Sequence, residues 1–322
     1  MFPYALAADE IGCAGFAIAD HVIDFEPIAT PYPYEADGSR RWDHATEWPD
    51  PWVLVGALSA VTTRLTFFTS IYVAALRSPY QVAKSVGTAA VLSGGRVRLG
   101  VGVGWCREEF DLLGQDFATR GRRTDEALEL VDRLWSDDWV ESGGPLYPTP
   151  RLTMRPRPEQ RVPILVGGMS EVALRRAARL CDGWVGTAYR LDEAVRYVDR
   201  LTVLRREYGR ENEPFEIMLA LLEVPTLDVF QRAEEVGITA VMCAPWFGSD
   251  DMAGGGGRGL ARGGLNKRWA PPARVVNSVS VPPPPRGAVR PPPPPRTPAG
   301  GRLPLPPAPA PAERGGCPRP RW

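Results

Sequence analysis

Short apolar runs alternate along most of this chain with longer stretches whose apolar residues recur three and four positions apart. The first kind of spacing predicts buried strands and the second predicts helices packed by one face. Read this way, Pro3 to Cys13 is a helix with proline near its start. A strand follows at Gly15 to Ala19, and then a polar loop, rich in proline and aromatics, from Val22 to Trp48. Pro51 to Val61 is helical, Leu65 to Val73 is β-rich, and Pro79 to Leu92 is a helix closed by Gly94 and Gly95. Val97 to Val103 is a strand, and Thr124 to Trp135 sets Ala127, Leu128, Val131, Leu134 and Trp135 at helical spacing.

The second half repeats the alternation. Strands are expected at Val162 to Val166, Gly183 to Val185, Phe215 to Leu222 and Thr239 to Cys243. Helices are expected at Ser170 to Leu180, with Ser170 as N-cap, at Leu191 to Tyr208 and at Leu227 to Val236. Seven strands with helices between them suit right-handed parallel crossovers, and both a doubly wound sheet and an eightfold β/α barrel fit. A barrel needs an eighth strand. Because the chain begins directly with a helix, the first strand is the one expected to be missing.

The pattern breaks near residue 245. Nineteen of the 35 prolines follow Ala270, and Gly254 to Gly257 is an unbroken glycine run. The expected organisation is a barrel domain over residues 1–245 and a disordered Gly/Pro/Arg tail over 246–322. The tail reads either as a proline-rich ligand or as wrong-frame translation of a GC-rich gene. The presence of only two lysines, Lys84 and Lys267, favours the second. Net charge is zero over the whole chain, but residues 1–251 hold 26 basic and 37 acidic groups, and the rest hold 12 basic and one acidic. An acidic body argues against specific nucleic-acid binding. Five scattered cysteines without a C-x-x-C read as reduced thiols of a cytoplasmic protein, and no run is long enough to span a membrane.

The chemistry-bearing residues fall at strand ends. Val97 to Phe110 runs from an apolar strand through Gly100, Gly102 and Gly104 to Trp105 and a charged helix start. Such a turn admits a ligand close to the backbone and offers N–H groups to an anion. The dinucleotide pattern G-x-G-x-x-G fails, because its third glycine would fall at Trp105 or Arg107. Asp20 and His21 end one strand, Ser70 and Ile71 another, Gly167 and Gly168 a third, and Gly186 and Thr187 a fourth. In a barrel these ends share one mouth. His21, one of two histidines, is a candidate proton donor or acceptor, which Asp20 would orient unless it binds the ligand. Glu108 and Glu109 read first as helix-dipole partners, and Arg120, Arg122 and Arg123 read either as their ion-pair partners or as a solvated face. Arg190 is a candidate for reaching an anion at the mouth, although a surface arginine is the favoured reading. No metal-ligand spacing and no G-x-S-x-G motif is present.

Five segments together resemble the bacterial luciferase-like monooxygenase superfamily, in particular its branch that uses the deazaflavin coenzyme F420. They are Ala7 to Val22, Gly100 to Gly114, Arg120 to Leu130 with Leu134-Trp135, Pro163 to Gly168, and Ala177 to Trp184. The likeness covers roughly Pro3 to Pro245. It implies a (β/α)8 TIM barrel, here lacking the first strand and last helix and therefore carrying two exposed edges. It implies F420, or FMN as the alternative, lying against a non-prolyl cis peptide at about Ser70-Ile71. Gly102, Gly104, Trp105, Gly167 and Gly168 would hold the cofactor tail. Asp20 and His21 would lie beside the reactive ring, with His21 as acid or base, and Thr187 and Arg190 would meet a substrate anion. The implied activity is hydride transfer to or from a small organic substrate, with an FMN-dependent monooxygenase as the alternative. An inactive truncated product or a binding protein is the reading from outside enzymology. The expected partner is a small-molecule substrate, with a homodimer admitted as the assembly.

Overall fold

Gly15 to Ile18 carries no polar side chain and is buried at every position, which is what a strand covered on both faces requires. In the computed structural model that strand is one of eight parallel strands arranged as a barrel. The structure describes residues 1–221, 226–243 and 274–279, with residues 187–189, 243 and 274–279 described as backbone only. A second unit, Pro284–Trp322, lies outside the described residues.

In chain order the elements are α1 (Phe2–Ile11), β1 (Gly15–Ile18), α2 (Pro51–Ser59), β2 (Thr66–Thr69), β3 (Tyr72–Val73), α3 (Pro79–Leu92), β4 (Val97–Gly102), α4 (Arg107–Leu112) and α5 (Arg120–Ser136). Then come β5 (Val140–Ser142), β6 (Thr149–Leu152), β7 (Ile164–Gly167), α6 (Glu171–Leu180), β8 (Gly183–Tyr189), α7 (Leu191–Glu207), β9 (Glu216–Leu221), α8 (Leu227–Glu235), β10 (Ala240–Cys243) and β11 (Arg274–Val279). The antiparallel pair β5 and β6 stands outside the barrel and was not expected from its short, polar sequence.

The barrel runs β1, β2, β4, β7, β8, β9, β10, β11 and back to β1. This corrects the expectation of two exposed edges, because β11 pairs in parallel with β10 on one side and β1 on the other. It also places Arg274–Val279 in the sheet rather than in a structureless tail. The physical reason is local: R-V-V-N-S-V is a β-branched run between proline-rich flanks, which the average composition of the segment conceals.

Side-chain alternation builds two packed layers. Ala17, Phe68, Leu165, Val185, Met218, Ala240 and Met242 form one apolar cluster, contributed by strands from around the barrel. Their sequence neighbours Phe16, Phe67, Ile164, Trp184, Ile217 and Val241 belong to the larger cluster that packs against the helices. Helix starts follow ordinary capping chemistry. Asp50 accepts from the backbone N–H of Trp52 and Val53 at 3.0 Å ahead of Pro51, and Ser170 accepts from Ala173 at 3.3 Å, as its sequence position predicted.

The β2–β4 seam shapes the mouth. Its ladder pairs Phe67 with Val97 and Phe68 with Arg98, and β3 rejoins β4 at Val101 and Gly102. Between these, the Thr69 hydroxyl donates to the Gly100 carbonyl at 2.7 Å and accepts from the Gly100 N–H at 3.1 Å. The Ser70-Ile71 bond is cis, at the position the resemblance implied.

Candidate active site

At the C-terminal ends of the strands lies a cavity of about 810 Å³, in the size range of ligand pockets. Its wall includes Asp20 and His21 after β1, Ser70 and Ile71 after β2, Gly104 and Trp105 after β4, and Gly167 and Gly168 at the end of β7. Eight of the eleven sequence-predicted site residues therefore meet in one cavity. Gly102 sits behind its wall: a Cβ there would collide with the Ile71 side chain, so glycine is what lets Ile71 lie against β4. Gly104 has φ +84°, and its missing Cβ would lie 2.7 Å from both Phe110 and Val73.

His21 is held by Glu109, not by Asp20. Glu109 Oε2 lies 3.0 Å from His21 Nδ1, while its Oε1 accepts from the backbone N–H of Val22 at 2.9 Å and Ile23 at 3.4 Å. Glu109 is only 2% exposed. A carboxylate already accepting from two backbone donors acts as an acceptor toward the ring, so Nδ1 carries the proton and Nε2 is the ring's free nitrogen. Glu109 lies in the first turn of α4, as a helix-dipole partner should, and it also positions His21 and the start of the long loop.

Asp20 has a different task. It is 4% exposed and accepts from Arg77 Nη1 at 2.7 Å, Arg77 Nη2 at 2.8 Å and the Val73 N–H at 3.0 Å. The Arg77 guanidinium also lies 4.2 Å over the Tyr72 ring. Glu108 accepts from the N–H of Ala29 at 2.8 Å and Thr30 at 2.9 Å, fastening the loop a second time. Burial alone would raise the Glu108 pKa, but hydrogen bonds from its own backbone, Thr30 and Ala29 hold it down at about 2. Burial pushes the Cys106 thiol up to about 12, which removes it as a nucleophile.

The fastened loop brings aromatic rings over His21. Trp48 lies 4.9 Å from the His21 ring centre, Trp42 5.1 Å and Trp105 5.9 Å. Tyr32 packs on Trp42 at 5.1 Å and on Trp105 at 5.2 Å. Apart from Trp105, none of these ring residues was singled out from sequence. The signal available was the density of aromatic residues between Tyr32 and Trp48.

A second group at the cavity is cationic. Arg120 donates to the Gly104 carbonyl at 3.2 Å and the Phe117 carbonyl at 2.7 Å, and no carboxylate pairs with it among the described residues. Its expected pairing with Glu108 or Glu109 is therefore corrected. Burial, and then the nearby Arg107 charge, pull its pKa below the ordinary value. Arg176 is buried, bonded to Asp125 and to the Gly121 carbonyl at 3.3 Å, and Ser170 lines the cavity where it caps α6.

Arg190 is outside the cavity wall. It is exposed at the start of α7 and pairs with Asp192 at 3.4 Å, the arrangement expected of a surface arginine. The Thr187 side chain lies outside the described residues. Among the described residues no cluster of three or more metal-binding side chains is present, and no helix is long and apolar enough to cross a membrane.

These features define a β/α barrel with a ligand cavity at its C-terminal mouth. Residues 3–226 match the family of luciferase-like monooxygenases, and the chain belongs to that family. It is 40% identical over 240 residues to the uncharacterised protein Rv0940c of Mycobacterium tuberculosis, covering 74% of this chain and 83% of that protein. It is 29% identical over 226 residues to an F420-dependent glucose-6-phosphate dehydrogenase of Kribbella flavida, covering 69% of this chain and 62% of that enzyme. Among solved structures it superposes on an F420-dependent secondary alcohol dehydrogenase in complex with an F420-acetone adduct. The TM-score is 0.56 at 21% identity, covering 68% of this chain and 63% of that one, a likeness of fold.

Proposed function

We propose that this chain is an F420-dependent oxidoreductase that moves a hydride to or from a small organic substrate, with His21 as proton partner. The carrying observation is the His21–Glu109 pair at the wall of a cavity that also carries the cationic Arg120. The cavity fits a planar ring with an anionic tail: it is large enough, it offers backbone approach at Gly104, Gly167 and Gly168, and among the described residues no carboxylate pairs with Arg120. When bound, the deazaflavin supplies a two-electron hydride acceptor or donor. Arg120, Ser170 and the start of α6 would hold the tail, while Ile71 and Trp105 would border the ring.

Oxidation of a hydroxyl compound removes a hydride from carbon and a proton from oxygen. His21 takes that proton at Nε2, and in the reverse direction returns it to the carbonyl oxygen. Glu109 keeps Nδ1 protonated, so Nε2 is the nitrogen that exchanges. The aromatic loop packs over this exchange and leaves the His21 side chain 13% exposed. In His21→Ala, cofactor binding is expected to persist while turnover falls roughly 10²-fold or more. Unchanged turnover would remove His21 from the reaction.

A further inference from the structure

We propose that the substrate side of this cavity takes an uncharged, planar organic molecule and discriminates against phosphorylated and other anionic ones. The proposal rests on the oxidoreductase reading above and names the substrate class for that site.

The walls around His21 are aromatic. Trp42, Trp48 and Trp105 each lie within 6 Å of its ring centre, and Tyr32 and Tyr34 stand in the same cavity wall. Such rings bury large apolar area and pair edge-to-face or offset with another flat ring. The charge arrangement points the same way. Among the described residues, the arginines reaching this region each have a carboxylate: Arg41 pairs with Glu35, Arg40 with Asp24 at 2.6 Å, and Arg77 with Asp20 at 2.7 Å. A phosphate here would lose its water and gain no free cation among the described residues. Among the described residues, Arg120 is the one arginine of the cavity wall without a carboxylate, and it belongs to the group facing the cofactor tail. The surroundings already resist negative charge: burial, against the pull of Arg41, pushes the Tyr32 phenol up to about 12. Aromatic rings also attract cations, but the Arg41 guanidinium stands 5.9 Å from the Tyr32 ring centre and His21 lies among the rings.

The test is a matched set of probes on one flat ring system: 2-naphthylmethanol, 2-naphthylmethyl phosphate and 2-naphthylmethyl-trimethylammonium. Calorimetric titrations use the full chain with and without bound F420, together with glucose 6-phosphate. The neutral alcohol is expected to bind at least about tenfold more tightly than either charged probe. Trp42→Ala and the gentler Trp42→Phe are expected to weaken it, about tenfold for the alanine variant. Arg190→Ala is expected to leave its affinity unchanged. Tighter binding of the phosphate ester, glucose 6-phosphate or the ammonium probe overturns the proposal, as does failure of the neutral alcohol to bind. Failure to bind F420 strikes the oxidoreductase reading instead, and the probe order in the unloaded chain still decides this one.

Discussion

Replacing Glu109 by glutamine keeps the shape of the side chain and removes its charge. The carboxylate now accepts on both oxygens, from His21 Nδ1 at 3.0 Å on one and from the Val22 and Ile23 N–H groups on the other. An amide can accept on one side only. If its oxygen faces the backbone, its NH2 meets the Nδ1 proton, and His21 must move that proton to Nε2, where it can no longer accept one. If its oxygen faces His21, two backbone donors are abandoned at a site that is 2% exposed. Charge-assisted hydrogen bonds contribute about 1.5–3 kcal/mol each and a stranded buried donor costs about 1–3, so one lost contact predicts destabilisation of about 2–3 kcal/mol. Acid–base assistance contributes roughly 10²–10⁴-fold to rate, so kcat should fall by about 10²-fold or more, with KM and cofactor affinity nearly unmoved. Steady-state oxidation or reduction of F420, read by absorbance, gives the kinetic split, and urea unfolding gives the stability. Unchanged kcat, or a loss confined to KM, would refute the claim that Glu109 sets the protonation of His21.

Arg77→Met removes the partner of a carboxylate that is 4% exposed, and is expected to destabilise the fold by about 3–5 kcal/mol in denaturant titrations. The double change Asp20→Asn with Arg77→Met should recover part of that loss, and no recovery would mean the pair is not the source. Glu108 is held at about 2, below the ordinary carboxylate value, so it favours the fastened loop fully above the ordinary value and loses that contribution as pH falls through about 2. Acid titration followed by tryptophan emission should show the loop signal lost over that window, and Glu108→Gln should flatten it.

The alternation of strands and helices was legible because buried parallel strands are written as apolar runs, and α3 was delimited to the residue by Pro79 and the glycines after Leu92. The strand ends were legible because glycines, a scarce histidine and a Ser-Ile pair stand out against apolar runs. What failed, failed for physical reasons. Glu109 lies 88 positions from His21, and a carboxylate in a helix's first turn already has a local explanation. Asp20 was paired with its sequence neighbour, whereas its carboxylate meets Arg77, 57 positions away. Arg190 was read toward the mouth, but as the first residue before α7 it stands outside with Asp192. β11 was hidden because its six residues, three of them valines, sit within a segment rich in glycine, proline and arginine.

The central claim is that the mouth cavity is built for a deazaflavin. Equilibrium titration of the purified full chain with F420 and with FMN, in competition, tests it most directly. The account predicts one saturable site that prefers F420 and from which excess FMN does not readily displace it. Tighter binding of FMN, or no saturable binding of F420, would contradict it.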